Sequence, residues 1–338
     1  MTTALPFIEA LLPVPPETAL PAFNHRAREI GFGIMSHDDG MTVVLSGGDM
    51  RVRAEGDMTR VRVTAQDVPH LQMLRDYLTE EFSAAGVVPE WQGRRAAGRP
   101  DNHALARVVS SVQISPSYRR VTLAGAELAR FATGGLHFRL LFGPQGAGWP
   151  GIDDNGVTLW PQGTAAWHKP VYTTRWIGDR DGLPHLDFDV FLHEGGRVTD
   201  WCTGLPAGEE IILSGPGGGR GPNSGGWQGL VGDETAVPVI ARLLAMMPDD
   251  ARGEAVLVVP CAADAQDLHH PPGVSVRWAL REAGETPLSV LEALHIPDRN
   301  RAVFFAAEAA EAQAARKMLA ARGLDKGEIS AAAYWTRD

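Results

Sequence analysis

The sequence predicts a chain of several domains: an N-terminal α+β module, an antiparallel β-barrel, and a C-terminal α/β domain built on a parallel sheet. Three observations predict it. At 338 residues the chain is longer than one ordinary core organises. From 105 to about 225, short apolar stretches are separated by turn residues with no long helical pattern among them, as in a closed antiparallel sheet. After 226, strand-like and helix-like stretches alternate, and that alternation builds parallel sheets covered by helices.

Within the module, taken as residues 1–92, MTVVLS and DMRVRAE flank Gly47-Gly48, the chemistry of a tight hairpin turn, and RVRVTA at 60–65 supplies a third strand. Asp67 is placed to cap a helix whose first turn tolerates Pro69, with Leu71, Leu74, Leu78 and Phe82 on one face. The stretch QGRRAAGRPDNH at 92–103 has too little apolar content to bury itself, so a linker is placed at 93–104, its arginines a secondary candidate for an anionic ligand.

The barrel, 105–225, is read from ALARVVSSVQI, RRVTLAG, LHFRLLF, GVTLWP, PVYTTRWI, HLDFDVFLH and EEIILSG. In HLDFDVFLH the apolar Leu186, Phe188, Val190 and Leu192 alternate with Asp187 and Asp189, which predicts one buried and one wet face. The last domain, 226–338, runs WQGLVG, ETAVPVIARLLAMM, GEAVLVVP, VSVRWAL, RAVFFAA, AEAQAARKMLAARG and EISAAAYW, with Gly323 closing the last long helix. Ligands of such domains sit at the carboxyl ends of the strands.

Composition excludes several functions. With 41 acidic against 31 basic residues the net charge is −10, and no local basic cluster overcomes the repulsion a nucleic acid would meet. Cys202 and Cys261 stand apart rather than in a CxxC pair, which offers no thiolate metal cluster and suits a reducing compartment. The opening MTTALPFIEALLPVPPE has no basic leading region and is interrupted by Glu9, Pro13, Pro15 and Pro16, so no membrane insertion and a cytoplasmic location are expected.

Four motifs carry the chemistry. VYTTRW at 171–176 sets an aromatic, hydroxyls and an arginine on one expected strand, with Tyr172 and Thr174 facing one way and Thr173 and Arg175 the other. A flavin ring, its reactive nitrogen edge and a phosphate would suit Tyr172, Thr173 and Arg175. HEGGRVTDWC at 193–202 brings two glycines to the start of a short helix bearing Thr199, Asp200 and Trp201, a backbone cradle for a pyrophosphate. SGPGGG at 214–219 is either an interdomain loop or a wall of the cofactor cleft. VGDETAVPVIARLL at 231–244 puts Gly232 to Thr235 at a strand-to-helix turn, with Pro238 inside the first helical turn.

In this order and spacing, with AAE at 306–308 and AYW at 333–335, the chain resembles the siderophore-interacting protein family, FAD-containing ferric-siderophore reductases of the ferredoxin-reductase-like group. The likeness covers about 105–338, and 20–92 resembles a small domain of unknown function found with such reductases. It implies a barrel that binds FAD and an α/β domain that receives NADH, NADPH or a ferredoxin-like donor. It implies cofactor contacts at Tyr172, Thr173, Thr174, Arg175, His193, Gly195, Gly196, Val198, Thr199, Asp233, Thr235, Ala236 and Trp335. It also implies a ferric siderophore as substrate and no permanent metal site. Hydride and electron transfer need alignment by the protein rather than a catalytic acid, base or triad.

An anionic chelate would be recruited by cations, and Arg316, Lys317, Arg322 and Lys326 offer them. The family carries an arginine where this chain has Pro170, with Lys169 beside it, and glycines where it has Ala307 and Ala333, which narrows the expected nicotinamide side. Two other readings stay open: a general flavin reductase or electron-transfer flavoprotein without chelate specificity, and a flavin-free siderophore-binding or regulatory protein.

Overall fold

The computed structural model describes residues 4–93, 97–204, 207–219 and 226–337. Arg94 and Arg95 of the linker, and the run from 220 to 225 after SGPGGG, lie outside the described residues. The chain divides into two compact units: 1–104 with 139–170 and 212–216, and 105–138 with 171–211 and 217–338. No helix among the described residues is long and apolar enough to cross a membrane.

The N-terminal module is an antiparallel sheet of β1 (Phe7–Leu12), β2 (Gly33–His37), β3 (Gly40–Leu45), β4 (Gly48–Glu55) and β5 (Met58–Ala65) in the order β1-β5-β4-β3-β2. Helices α1 (Pro16–Ile30) and α2 (Val68–Ala84) complete it. The hairpin turns at Ser46 and Gly47. Gly47 takes a φ of +81°, which a residue with a side chain rarely adopts. The Asp67 carboxylate accepts the His70 N–H at 2.8 Å and caps α2, and Leu71, Leu74, Leu78 and Phe82 are buried. The sequence pattern assigns no element before residue 40. There, Ile8, Ala10 and Leu12 alternate inward on β1, and Pro16 starts α1 at the position where a missing N–H costs nothing.

Buried polar groups of α2 tie the module to residues 153–158. Gln72 Nε2 and an Arg75 terminal nitrogen donate to the Gly156 carbonyl at 2.9 and 3.0 Å. The Asp76 carboxylate accepts the Thr158 N–H at 2.8 Å and its hydroxyl at 2.6 Å, and burial pushes the Asp76 pKa up.

Seven strands form the barrel sheet in the order β11-β8-β14-β6-β7-β13-β12. They are β6 (His103–Ser115), β7 (Tyr118–Ala124), β8 (His137–Leu141), β11 (Val171–Thr173), β12 (Trp176–Arg180), β13 (Leu183–Phe191) and β14 (Glu210–Gly217). The short α3 (Arg197–Thr203) follows β13. Three expectations are corrected here. GVTLWP is not a barrel strand: β10 (Thr158–Leu159) pairs only with β9 (Gly151–Ile152) in a separate small hairpin, and Pro161, which lacks an N–H, follows after Trp160. PVYTTRWI is not one strand, because it breaks at Thr174 and Arg175, whose N–H groups donate to the carbonyls of Leu136 and Asp187 at 2.9 and 2.8 Å.

The third correction concerns the polar face of β13, which is not wet: Asp187 is 8% and Asp189 3% exposed. Cross-strand register sets Asp189 opposite Arg120 and Asp187 opposite Thr122. Arg120 grips the Asp189 carboxylate with two bonds of 2.6 and 2.8 Å, and the Thr122 hydroxyl donates to Asp187 at 2.7 Å.

The C-terminal sheet is parallel throughout, in the order β17-β16-β15-β18-β19: β15 (Trp227–Gly232), β16 (Arg252–Val259), β17 (Val274–Leu280), β18 (Arg301–Glu308) and β19 (Ile329–Trp335). It carries α4 (Val237–Met246), α5 (Pro287–Ala293) and α6 (Ala309–Ala321), after which Gly323 takes a φ of +77°. Helix α5 is absent from the sequence reading; the reciprocal bonds of Thr286 and Ser289 start it and only seven residues follow. Strand order turns about β15 and β18, so their carboxyl ends, Gly232 and Glu308, stand at the switch point where α/β sheets take ligands.

Asp189→Asn is expected to lower unfolding stability by about 3 kcal/mol, the scale for breaking a buried ion pair from one side. Urea denaturation measures it, and an unshifted midpoint would show that Arg120 does not need the charge.

Candidate flavin and electron-donor site

The break after β11 makes the first half of the site. Tyr172 packs on Phe188 with ring centroids 5.2 Å apart, and burial, with Cys202 of α3 nearby, pushes its phenol pKa up. Thr173 and Thr174 are consecutive yet 5% and 1% exposed, so the expected alternation of faces does not hold through the bend. The bend leaves polar atoms without partners: Thr174 Oγ1 and Arg175 Nε are buried and make no hydrogen bond. Arg175 Nε lies 3.7 Å from Asp189; burial pulls its pKa down while that carboxylate opposes the shift.

The second half follows β13. Gly195 has a φ of +72°, and a Cβ on Gly196 would stand 2.7 Å from the His193 ring and 2.9 Å from Thr199 Oγ1. A side chain at 196 would therefore have to push the His193 ring and the Thr199 hydroxyl aside. Gly196 begins α3, and no side chain caps that helix. Val198 is buried beneath the turn, Thr199 Oγ1 accepts the His193 N–H at 3.2 Å, and the His193 ring is exposed.

At the switch point the structure brings together residues a hundred positions apart. Asp233, with no exposed surface, accepts the Thr235 N–H and hydroxyl at 2.9 and 2.6 Å on one oxygen and the Trp335 indole N–H at 2.7 Å on the other. Ala236 is fully buried as the residue before α4. Asp233 and Ala236 are thus internal supports, and Thr235 and Trp335 are the groups they hold in position. Beside them His137 Nε2 and the Tyr334 hydroxyl are hydrogen-bonded at 2.9 Å, and burial lowers the His137 pKa to about 4. Gly218 of SGPGGG stands against the His137 ring, so that end of the motif lines this pair.

The family profile described as the siderophore-interacting FAD-binding domain matches residues 107–220, and the one described as siderophore-interacting protein matches 226–338. Ferric vibriobactin reductase ViuB of Vibrio cholerae is 30% identical over 252 residues, which cover 69% of this chain and 89% of that protein. The chain belongs to the siderophore-interacting protein family. Another relative, the NADPH-dependent ferric-chelate reductase of Escherichia coli, is 26% identical over 66% of this chain and 89% of its own. The solved siderophore utilization protein from T. fusca superposes with a TM-score of 0.59 at 27% identity, covering 72% of this chain and 95% of that one.

As a member of the siderophore-interacting protein family, this chain differs from the sequence reading in its cations. Arg322 donates to the carbonyls of Leu291 and Leu294 at 2.9 and 2.6 Å, and Arg316 donates to that of Ala331, so both guanidiniums stitch backbone. Lys317 and Lys326 are exposed. Lys169 Nζ donates to Thr164 Oγ1 at 2.7 Å and lies 4.6 Å over the Trp160 ring.

Sequence reasoning missed His137, Glu234, Arg281 and Asp264. Glu234 accepts from Arg281 Nε at 2.8 Å, and burial raises its pKa. Asp264, fully buried, accepts Ser115 Oγ, Ser117 N–H and Ser117 Oγ, each at 2.8 Å, and those bonds hold its pKa down. The pairings span 47 to 197 positions, and no local pattern signals them.

His137 is neutral when folded below the pH at which it protonates when unfolded. Its depressed pKa therefore costs stability as pH falls from about 6.5 toward 4. His137→Gln is expected to remove about 2–3 kcal/mol of that loss. Parallel stability-against-pH curves for the two proteins, from urea midpoints, would contradict it.

Proposed function

We propose that the chain is a cytoplasmic ferric-siderophore reductase that takes electrons from NADPH or NADH, carries them on FAD, and delivers them to chelated Fe(III). The observation that carries this reading is the β11 break, with its unpartnered Thr174 and Arg175 atoms, together with the side-chain-free turn at Gly195-Gly196. These fit a flavin nucleotide, which needs hydrogen-bond partners at the ring edge and close backbone approach at the pyrophosphate. When bound, FAD supplies acceptance of a hydride and release of single electrons.

The residues act by holding and orienting. Tyr172 gives an aromatic face, Thr173 and Thr174 give hydroxyls, and Arg175 gives a guanidinium of fixed direction. His193, Gly195, Gly196, Val198 and Thr199 shape the backbone turn that receives the pyrophosphate. Trp335, steadied by Asp233, and Thr235 form the donor side and keep water from it. Carboxylates at Asp233, Glu234, Glu308 and Glu311 crowd the same edge, with Arg281 as their cation. Support for NADPH comes from the Escherichia coli relative, whose name states that dependence. A ferredoxin-like protein is the alternative donor. Iron reduced in its chelate binds hard oxygen ligands less tightly and leaves.

In this reading residues 105–225 hold the flavin and 226–338 receive the donor, which agrees with the two matched profiles. Residues 1–92 form a module joined through 93–104. Lys317 and Lys326 attract the anionic chelate, with Arg316 and Arg322 bracing the backbone around them.

The purified protein is expected to show flavin absorption bands that bleach anaerobically on adding NADPH or NADH and return on adding a ferric siderophore, with Fe(II) trapped by a chromogenic chelator. Gly196→Val is expected to purify with at least tenfold less flavin. A colourless wild-type protein that takes up no added FAD would remove the redox reading. Reversing charge at both Lys317 and Lys326 is expected to raise KM for an anionic ferric chelate several-fold at low salt, fading as salt screens the charges. An unchanged KM would dismiss the two lysines.

A further inference from the structure

The hydrogen bond between His137 and Tyr334 ties a barrel strand to the last strand of the α/β domain, and the flavin reading gives it no task. Its place on β8 follows from the strand ladder. The Thr174 N–H donates to the Leu136 carbonyl at 2.9 Å and the Leu140 N–H to the Pro170 carbonyl at 3.0 Å, two rungs of one antiparallel register. That register sets His137 opposite Thr173 between rungs, where facing residues bring their α-carbons to about 4.5 Å and point to the same side of the sheet. His137 is thus the cross-strand neighbour of the residue assigned to the flavin's nitrogen edge.

Tyr334 reaches it through an irregularity. On β19, Ala333 pairs with Ala307 and Trp335 with Glu308, so Tyr334 is an extra residue in the parallel ladder. Such bulges re-aim side chains and gather beside active sites. Here the bulge lets consecutive residues serve two elements: Trp335 donates to Asp233 at 2.7 Å, and the Tyr334 hydroxyl meets His137 Nε2 at 2.9 Å with the rings edge to face at 5.8 Å. Gly218, at a φ of +80°, stands against the Nδ1 edge of the imidazole, where a side chain would displace it. Both partners are uncharged at neutral pH, because burial lowers the His137 pKa to about 4 and burial with the Asp233 charge raises that of Tyr334. One neutral bond stabilises modestly, while a desolvated imidazole and an interrupted ladder both cost, so stability does not account for the pair.

We propose that His137 is a positioning residue for hydride transfer, fixing Tyr334 and the end of β19 beside Thr173. The inference rests on the flavin and donor reading above and adds a residue that the reading does not use. Strand β8, which neighbours β11, and strand β19 are held at one spacing by the bond, and Trp335 is held with them by Asp233. Hydride transfer depends steeply on the distance and angle between donor and acceptor, so a loosened Tyr334 slows that step. Electron release to a ferric chelate moves no hydride and is spared.

The experiment uses the full-length, flavin-loaded protein without oxygen and follows the two half-reactions separately. Flavin bleaching by NADPH or NADH reports the donor step, and reoxidation of stoichiometrically dithionite-reduced protein by ferric citrate reports the acceptor step. Titration of the oxidised flavin spectrum with NADP+ or NAD+ gives the affinity without turnover. His137→Phe and Tyr334→Phe are each expected to slow bleaching at saturating donor about tenfold, and to slow it no further when combined. Flavin content, nicotinamide affinity and reoxidation are expected to stay within about twofold of wild type. His137→Gln, which keeps a hydrogen-bonding group, is expected to restore most of the bleaching rate. Wild-type bleaching in His137→Phe, losses that multiply in the double variant, or equal slowing of both half-reactions would overturn the proposal and leave the donor reading standing. A wild-type protein that holds flavin but is bleached by neither nicotinamide would instead remove the donor reading, and this inference with it.

Discussion

A carboxylate with no exposed side-chain surface, that of Asp189, has to be paired where it stands, because an isolated charge in a protein interior is among the costliest things a fold can contain. Cross-strand register gives it Arg120, and the chain turns inward after Thr173 to bring Arg175 within 3.7 Å. A strand that continued its alternation would have kept Thr173 and Thr174 on opposite faces. The inward turn buries both and leaves one hydroxyl and one guanidinium nitrogen without partners. A buried charge on one strand thus fixes the shape of the next, and that shape is what the flavin assignment uses.

The donor side follows the same economy of polar groups. Asp233 accepts three hydrogen bonds and has no surface left for a ligand, so it serves by holding Trp335 and Thr235. Asp264 ties the turn between β6 and β7 to the residues after β16, and the Tyr118 hydroxyl donates to the Glu234 carbonyl at 2.7 Å. These bonds join the barrel strands to the α/β domain within one compact unit. Each uses a side chain that would be a liability in the interior if its partner moved.

How much of this is legible in the sequence depends on the range of the interaction. Asp67 before Val68-Pro69, the apolar face of α2, Gly323 after α6 and the alternation along the C-terminal domain are local patterns, and the fold agrees with them. The wet face assigned to Asp187 and Asp189 is wrong because period-2 alternation reports polarity and cannot see Arg120 some seventy residues away. GVTLWP has strand composition, yet proline and glycine confine it to two paired residues. The motif positions of the candidate site were readable as glycines and aromatics at fixed spacing. The His137–Tyr334 pair was not, since it exists only once β8 and β19 are side by side.

The bonds from α2 to residues 156 and 158 bear on how this polypeptide can be divided. Gln72, Arg75 and Asp76 are polar groups whose partners lie more than eighty positions downstream. Severing the chain after the first domain would strand all three at an apolar surface facing solvent, and would strip the 151–159 hairpin of its neighbours. The leading ninety residues are therefore better regarded as a buttress than as a removable appendage, and a protein expressed in two pieces would have to reassemble along that seam.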